Sequence, residues 1–202
     1  MKVFIEPCFE RPKIMVIYID EEPWHEFDSS FFPKHFSFPE HLSTIEDLEE
    51  FYFRTEFQSG NRLIIAKLAV RNYYSGELKK LLKEKGVSDK TIARIIKNCK
   101  EDGYLDDEAW IAGFVNRERR NKNGPALTRL KLKRIGIPEH LIENALAPVQ
   151  EDEVQEEGVR KILQTKYSSR NLKDIKEKNK VVAGLMRKGF DFDIVIEIVN
   201  SL

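Results

Sequence analysis

The sequence contains few cysteines and no long apolar segment, and both shortages narrow the classes of protein to consider. Its two cysteines, Cys8 and Cys99, lie far apart and form no CxxC or Cys/His group, so we expect buried or free thiols. No apolar run is long enough to span a bilayer, and no basic start leads into an apolar stretch with a small-residue cleavage site. We therefore expect a cytoplasmic protein without a membrane partner.

The sequence also lacks the common signatures of catalysis. None of its 4 histidines belongs to an HExxH motif, and neither a GxxxxGK(S/T) phosphate loop nor a GxSxG nucleophile elbow occurs. These absences argue against an enzyme. No cofactor and no bound metal are predicted.

Acidic side chains cluster in the segment EDGYLDDEAW, residues 101–110. One interpretation makes the acids at positions 102 to 108 the metal ligands of a nuclease, since hard cations prefer clustered carboxylates. A structural interpretation explains more of the segment: Gly103 ends one helix, Asp106 caps the next, and the acids after Asp106 complement the positive end of that helix. We prefer the structural interpretation, because no converging ligands are evident elsewhere.

The charge is balanced overall but unevenly distributed. Residues 1–60 hold 5 basic and 13 acidic side chains, whereas residues 61–202 hold 29 basic and 21 acidic ones. An acidic head therefore precedes a basic body. We expect the basic body to bind a polyanionic or acidic partner.

A short pattern centred on glycine occurs three times in the basic body. The glycines are Gly86, Gly136 and Gly189, and in each copy the residues four before, one after, six after and ten after the glycine are apolar. Glycine at a helix end permits the left-handed backbone that closes the helix. The apolar residues one and six positions later suit the hydrophobic staple of a following helix. Each copy is predicted to be a helix, a tight corner and another helix.

These patterns predict a mainly α protein built from tandem three-helix repeats. We expect the repeats at 59–102, 103–148 and 149–202, with neighbours stacking because one such unit is too small to bury its apolar faces alone. The 34% of charged residues favours an elongated molecule with much surface. The nine helices expected in this region are 62–73, 76–84, 88–100, 107–122, 125–134, 138–146, 152–166, 172–187 and 191–201.

Residues 1–58 are predicted to form an acidic, strand-containing N-terminal extension. KIMVIYID (13–20) is rich in β-branched and aromatic residues, and the DEEPWHEF that overlaps its end suits a turn into a second strand. The segment 29–43 contains two prolines and cannot be a continuous helix. We therefore expect a β-hairpin and a linker, followed by a helical pattern that starts at Ser43 or Thr44.

The strongest interaction signal is the basic run RERRNKNGPALTRLKLKR (117–134), in which Glu118 is the one acid. On a helix starting near Pro125, Thr128 and Leu132 supply the core stripe and the basic residues lie on other faces. Like charges repel one another unless an anion is near, so phosphates or an acidic protein groove are the expected partners. The predicted partner-binding or nucleic-acid-binding residues are Arg117, Arg119, Arg120, Lys122, Arg129, Lys131, Lys133 and Arg134.

The segment GYLDDEAWIAGFVNRERRNKNGPALTRLKLKRIGI (103–137) resembles the central signature of the RecX regulatory family. In that signature a glycine, an aromatic residue, a leucine and two aspartates open a helix, an arginine-rich stretch follows, and a second helix ends in Lys/Arg-x-Gly-Ile. The similarity continues through 75–96 and 180–199 and covers about 63–202. The resemblance implies tandem three-helix repeats in an elongated, curved molecule.

The resemblance also implies a function. A protein of this family would bind the RecA recombinase filament in its groove and inhibit its growth, its ATP hydrolysis and strand exchange, and so would act in DNA recombination, DNA repair and the SOS response. The RecA filament is then the expected partner, direct contact with single- or double-stranded DNA stays open, and we expect a monomer. The alternative is a stand-alone DNA- or RNA-binding helical-repeat module.

Overall fold

A computed structural model describes residues 1–201, which form two compact units that divide between Asp106 and Asp107. Within these described residues there are three strands and nine helices. The first unit contains β1 (Val3–Pro7), β2 (Ile14–Ile19), β3 (Glu22–Asp28), α1 (Ile45–Leu68), α2 (Ser75–Glu84) and α3 (Asp89–Glu101). The second contains α4 (Asp107–Arg120), α5 (Pro125–Ile135), α6 (Glu139–Gln150), α7 (Asp152–Lys166), α8 (Ile175–Arg187) and α9 (Phe192–Asn200).

The nine helices of the described chain form three sets, and in each set the third helix packs against the other two. α3 packs against α1 and α2, α6 packs against α4 and α5, and α9 packs against α7 and α8. The same arrangement three times over confirms the prediction of tandem three-helix repeats.

The corners between the second and third helices follow the glycine pattern. Gly86, Gly136 and Gly189 have φ angles of 76°, 87° and 83°, in the left-handed region that favours glycine. The next helix is capped by the Ser88 hydroxyl, which accepts a hydrogen bond from Thr91 N, and in the third repeat by the Asp191 side chain. Pro138 is the N-cap residue of α6. The predicted corners and caps are therefore confirmed.

The N-terminal sheet has three antiparallel strands in the order β1, β2, β3, one more than the predicted hairpin. β2 and β3 are that hairpin, and their turn places Asp20 (φ 47°) and Glu21 (φ 74°) in the left-handed conformation that two-residue hairpin turns require. β1 pairs with β2 from Val3 opposite Ile19 to Pro7 opposite Met15. The prediction missed β1 because a strand of five residues ending in proline is too short to show a clear alternation.

The first helix is longer than the sequence indicated. α1 begins after Thr44, whose hydroxyl accepts a hydrogen bond from Asp47 N as predicted, and it runs without interruption to Leu68. The helix start expected at 62 and the domain boundary drawn between 58 and 59 both fall inside it. Gly60 lies buried within α1, where a Cβ would lie 2.5 Å from the Ile95 side chain of α3. The division into 59–102, 103–148 and 149–202 otherwise stays a prediction.

Other helix ends also differ from the expectation, and α1 ends at Leu68 rather than at 73. α6 continues through Pro148 to Gln150 rather than ending at 146, although this proline has no N–H to donate to the helix. α8 starts at Ile175 rather than 172, because Asp174 accepts hydrogen bonds from Lys176 N and Glu177 N and so caps the helix there.

The segment between β3 and α1 is part of the core rather than a simple linker. Residues 29–44 have no helix or strand, as their prolines predicted, yet Phe32 is buried among Ile17, Phe27 and Tyr52. The other phenylalanines of the segment pack around that group. The aromatic side chains attach the sheet to α1 within the first unit.

α1 also supplies an acceptor to the start of α3. The buried carboxylate of Glu56 accepts hydrogen bonds from Ser88 N (2.9 Å) and Ser88 Oγ (2.7 Å), and Ser88 Oγ accepts one from Thr91 N (3.3 Å). A negative charge at this place is favoured by the positive end of the α3 dipole. Glu56 therefore extends the cap of α3 with a contact from another helix.

Candidate partner-binding site

The basic run lies on the end of α4, the turn after it and α5. The turn closes through backbone hydrogen bonds from Asn121, Lys122 and Asn123 to carbonyls of the last α4 turn, at 2.9 to 3.0 Å. Lys122 takes a left-handed conformation there, with φ of 59°. Its Nζ donates to Thr165 Oγ1 of α7 at 2.8 Å, which ties the turn to the third repeat.

The one acid of the run, Glu118, is a buried structural group. Its carboxylate accepts hydrogen bonds from Lys131 of α5 and from Asn123 Nδ2, the latter at 2.7 Å. Burial alone would raise the pKa of Glu118, but the hydrogen bonds from Lys131 and Asn123 and the charge of Arg117 hold that pKa below its ordinary value. Lys131 is therefore partly neutralised and held in place inside the repeat.

Two more basic residues are paired with acids of α6. Arg129 forms ion pairs with Glu139 and Glu143, and Lys133 forms one with Glu139 at 2.9 Å. These pairs join α5 to α6 within the second repeat. A partner would have to compete with the α6 carboxylates for both cations.

The start of α5 is fastened to the corner between α8 and α9. Gly124 N donates to Lys188 O at 2.7 Å, and Ala126 N donates to Gly189 O at 3.0 Å, so carbonyls of the third repeat satisfy the free N–H groups of this helix end. Lys188 Nζ in turn donates to the carbonyls of Asn121 and Lys122. The second and third repeats are thus joined through their backbones.

Positive charge is concentrated around this junction. Burial, and then the charges of Lys166, Lys122 and Lys131, lower the pKa of Lys188, while Glu118 acts in the opposite direction. The cations that lower this pKa come from both repeats. The junction is therefore a place where an anion would be stabilised.

Beside the junction lies a cleft that encloses about 260 Å³, which we call the basic cleft. Its rim carries Arg119, Arg120, Lys122 and Lys161, with Glu157 as the one acid among the residues that line it. The remaining residues that line the basic cleft are Val115, Asn123, Gly124, Pro125, Thr128, Val149, Val154, Gln155, Gly158 and Phe190.

The basic cleft brings together some of the predicted site residues and leaves others apart. Arg119, Arg120 and Lys122 line it. Arg117 instead lies with its guanidinium 5.0 Å from the centre of the Phe114 ring, and Arg134 is exposed on α5. The functional assignment of all eight basic residues stays a prediction.

Sequence reasoning missed Lys161, which contributes to the rim from α7. Lys161 pairs with Glu157 at 2.5 Å in an ordinary i,i+4 arrangement, which gives no sign of a site. The sequence signal available for this part of the cleft was Gly158, a glycine in the middle of a helix, because a Cβ there would lie 2.9 Å from the Phe190 ring. The lack of a side chain at position 158 permits Phe190 to pack directly against α7.

Two features of the segment 101–110 agree with the structural interpretation, while the cap by Asp106 stays a prediction. Gly103 has φ of 74° just after α3, and Asp107 and Glu108 lie in the first turn of α4. Across residues 1–201, no group of three or more His, Cys, Asp and Glu side chains is placed to hold a metal ion. Among the helices described, none combines the length and apolar character needed to cross a membrane.

Comparison with known proteins identifies relatives of this chain. The family model "RecX, third three-helix domain" matches residues 153–199. The regulatory protein RecX of Chlorobaculum tepidum is 31% identical over 134 residues, which cover 66% of this chain and 81% of that protein. RecX of Geobacillus kaustophilus is 28% identical over 153 residues, or 75% of this chain, and the match spans 57% of that longer protein. The match to RecX of Staphylococcus carnosus spans 59% of that protein.

Two solved structures share the fold. A crystal structure of regulatory protein RecX aligns with a TM-score of 0.66 at 21% identity and covers 100% of this chain and 99% of its own. The crystal structure of RecX from Lactobacillus salivarius aligns with a TM-score of 0.62 at 22% identity, over 73% of this chain and 96% of its own. At these identities the likeness establishes a common fold.

Proposed function

The chain belongs to the RecX family, and we propose that it binds the RecA recombinase filament and inhibits the recombinase and ATPase activities of RecA. Its relatives are named regulatory proteins, which favours a binding protein over an enzyme. In this proposal it acts in the cytoplasm, in DNA recombination, DNA repair and the SOS response. The observation that carries the proposal is the basic cleft.

The basic cleft suits a nucleoprotein filament for an electrostatic reason. Four basic side chains line it against one acid, and its lining comes from two repeats that are joined through their backbones. A filament of protein on DNA offers phosphates and acidic protein surface, and a complementary field increases both the rate and the selectivity of association. The residues of the basic run that point into the cleft are therefore the proposed contact residues.

Direct binding tests this proposal. Arg119, Arg120 and Lys122 are changed together to glutamate, and binding to RecA on single-stranded DNA is measured at about 0.15 M salt. We expect wild type to bind the filament and the triple variant to bind at least about 10-fold more weakly, since three contacts of about 0.5–1 kcal/mol each are reversed. Circular dichroism checks that the variant is folded.

A matched variant separates local charge from total charge. Lys79, Lys90 and Lys176 are exposed and lie outside the basic cleft, so their joint change to glutamate should weaken filament binding by less than about 3-fold. Equal losses of filament affinity in the two triple variants would contradict the assignment of the basic cleft as the binding site.

Binding to bare DNA decides between this proposal and a stand-alone nucleic-acid-binding module. Such a module would bind bare DNA as tightly as the filament, and the logarithm of its binding constant would fall with log salt by about 0.7 to 0.9 per phosphate contact. A regulator of RecA should instead prefer the filament. Equal affinity for both, without any effect on RecA, would contradict the proposal.

A further inference from the structure

We infer that the basic cleft receives an acidic peptide segment that inserts one apolar side chain between carboxylates bound at the rim. The inference rests on the proposed function in one respect, because it states which chemistry of the partner this same cleft recognises. It depends on four properties of the cleft: its floor, its size, its aromatic residue and its rim.

The floor of the basic cleft is aliphatic. Val115 is buried, and Val149 and Val154 are half-buried and face the enclosed space together with Pro125. A phosphate backbone gains nothing from such a floor, whereas an aliphatic side chain that leaves water for it is stabilised in proportion to the area buried. The floor therefore favours an occupant with an apolar group.

The size of the cleft fits a side chain rather than a small-molecule cofactor. Its volume of about 260 Å³ lies below the roughly 300–1,000 Å³ typical of small-molecule sites. One or two amino-acid side chains occupy a space of this order. The apolar group is therefore best supplied by a peptide.

The one aromatic residue that lines the cleft is unsuited to stacking a base. Proteins bind single-stranded nucleic acid by stacking bases on exposed ring faces. Phe190 is only 5% exposed, and its ring lies against the α7 backbone at Gly158, where a Cβ would approach Cε1 to 2.9 Å. A flipped or single-stranded base finds no free ring face here, so a peptide is favoured over a nucleic acid.

The rim selects for negative charge around the apolar group. Arg119 and Arg120 of α4 and Lys122 of the turn are contributed by the second repeat, and Lys161 is contributed by α7 of the third. Carboxylates on each side of an inserted side chain would therefore meet cations from both repeats. Glu157, the one acid of the lining, would repel a peptide carboxylate, but its charge is already paired with that of Lys161.

The test uses the full chain and a labelled peptide of four glutamates on each side of a central leucine, blocked at both ends. The comparison peptide has a central alanine. Binding is measured by fluorescence polarisation at low salt. We expect the leucine peptide to bind about 10-fold more tightly, which corresponds to partial burial of the extra methylene and methyl groups.

Variants of the protein locate the effect. Val149→Thr combined with Val154→Thr keeps the shape of the floor and makes it polar, and should reduce the preference for leucine to less than about 3-fold. Both valines are half-buried, so the fold should persist, as circular dichroism can verify. Val70→Thr, at a residue 84% exposed in the first unit, is the control and should leave the preference unchanged.

Two results would overturn the inference. Equal binding of the leucine and alanine peptides would show that the cleft reads charge alone. Tighter binding of a thymidine oligonucleotide with the same number of charges, displaced by neither peptide and insensitive to the threonine pair, would make a nucleic acid the occupant. ATPase inhibition by wild type, measured in parallel, keeps the two proposals separate: inhibition without leucine preference removes this inference alone, and leucine preference without inhibition removes the proposed function alone.

Discussion

Gly189→Ala tests whether the start of α5 is fastened to the corner between α8 and α9. At this junction Gly124 N and Ala126 N donate to the carbonyls of Lys188 and Gly189 at 2.7 and 3.0 Å. A Cβ on Gly189 would overlap the backbone nitrogen of Leu127 and lie 2.7 Å from its Cβ. Alanine can therefore be accommodated only if α5 moves away and both hydrogen bonds lengthen.

Gly136→Ala is the matched control for this change. Gly136 and Gly189 have φ angles of 87° and 83°, but a Cβ on Gly136 would meet nothing within 4 Å. Both alanines suffer the left-handed strain of about 1–2 kcal/mol. The alanine at 189 additionally weakens two hydrogen bonds, worth about 0.5–1.5 kcal/mol each. The expected loss of unfolding free energy is thus about 1–2 kcal/mol for Gly136→Ala and about 2–5 kcal/mol for Gly189→Ala.

Urea unfolding followed by circular dichroism measures both losses, and amide hydrogen exchange of Gly124 and Ala126 reports on the junction itself. In Gly189→Ala these two amides should exchange faster than in wild type, while in Gly136→Ala they should stay protected. The reasoning would be refuted by equal destabilisation of the two variants, or by unchanged protection of both amides in Gly189→Ala.

Three further predictions concern single carboxylates. Glu118→Gln should lower the unfolding free energy by about 1–3 kcal/mol near neutral pH, because it weakens the hydrogen bonds from Lys131 and Asn123. Because the folded protein lowers the pKa of Glu118, wild type should lose this advantage over the variant as the pH falls through that pKa. A stability difference that does not change with pH in urea titrations would count against the buried pair. Glu56→Ala should cost about 1–3 kcal/mol by leaving Ser88 N without its acceptor, whereas exposed Glu84→Ala should cost less than about 0.5 kcal/mol in the same unfolding assay. Asp106→Asn should preserve the fold, and Mg²⁺ should leave the thermal unfolding of wild type unchanged; a metal-dependent shift would restore the nuclease interpretation.

The repeat architecture was predictable because it depends on local chemistry. A glycine that must be left-handed, a capping residue two positions later and apolar residues at fixed offsets are all visible within about a dozen residues, as at Gly86, Ser88 and Ile92. The prediction was wrong where a helix boundary depends on contacts between residues far apart in the sequence. The helix start expected at 62 falls inside α1, whose buried Gly60 packs against Ile95 of α3, a contact 35 positions away that no local pattern shows.

The basic cleft was only half predictable for the same reason. The high density of charge in the basic run predicts a role for Arg119, Arg120 and Lys122. Lys161 and Phe190 reach the cleft from the third repeat only through tertiary packing, which the sequence does not show. The eight basic residues of the run also looked equivalent in sequence. The structure distinguishes them by their ion pairs: Lys131 is paired with buried Glu118, whereas Arg129 is paired with an exposed carboxylate of α6.

The most direct test of the central claim is the rate of ATP hydrolysis by RecA on single-stranded DNA with increasing amounts of this protein. The account predicts that wild type lowers the rate, that the Lys79, Lys90 and Lys176 reversal inhibits almost as well, and that the Arg119, Arg120 and Lys122 reversal requires at least about 10-fold more protein for the same inhibition. An unchanged rate with folded wild-type protein would contradict the claim that this chain regulates RecA. Full inhibition by the folded cleft variant would contradict the claim that it does so through the basic cleft.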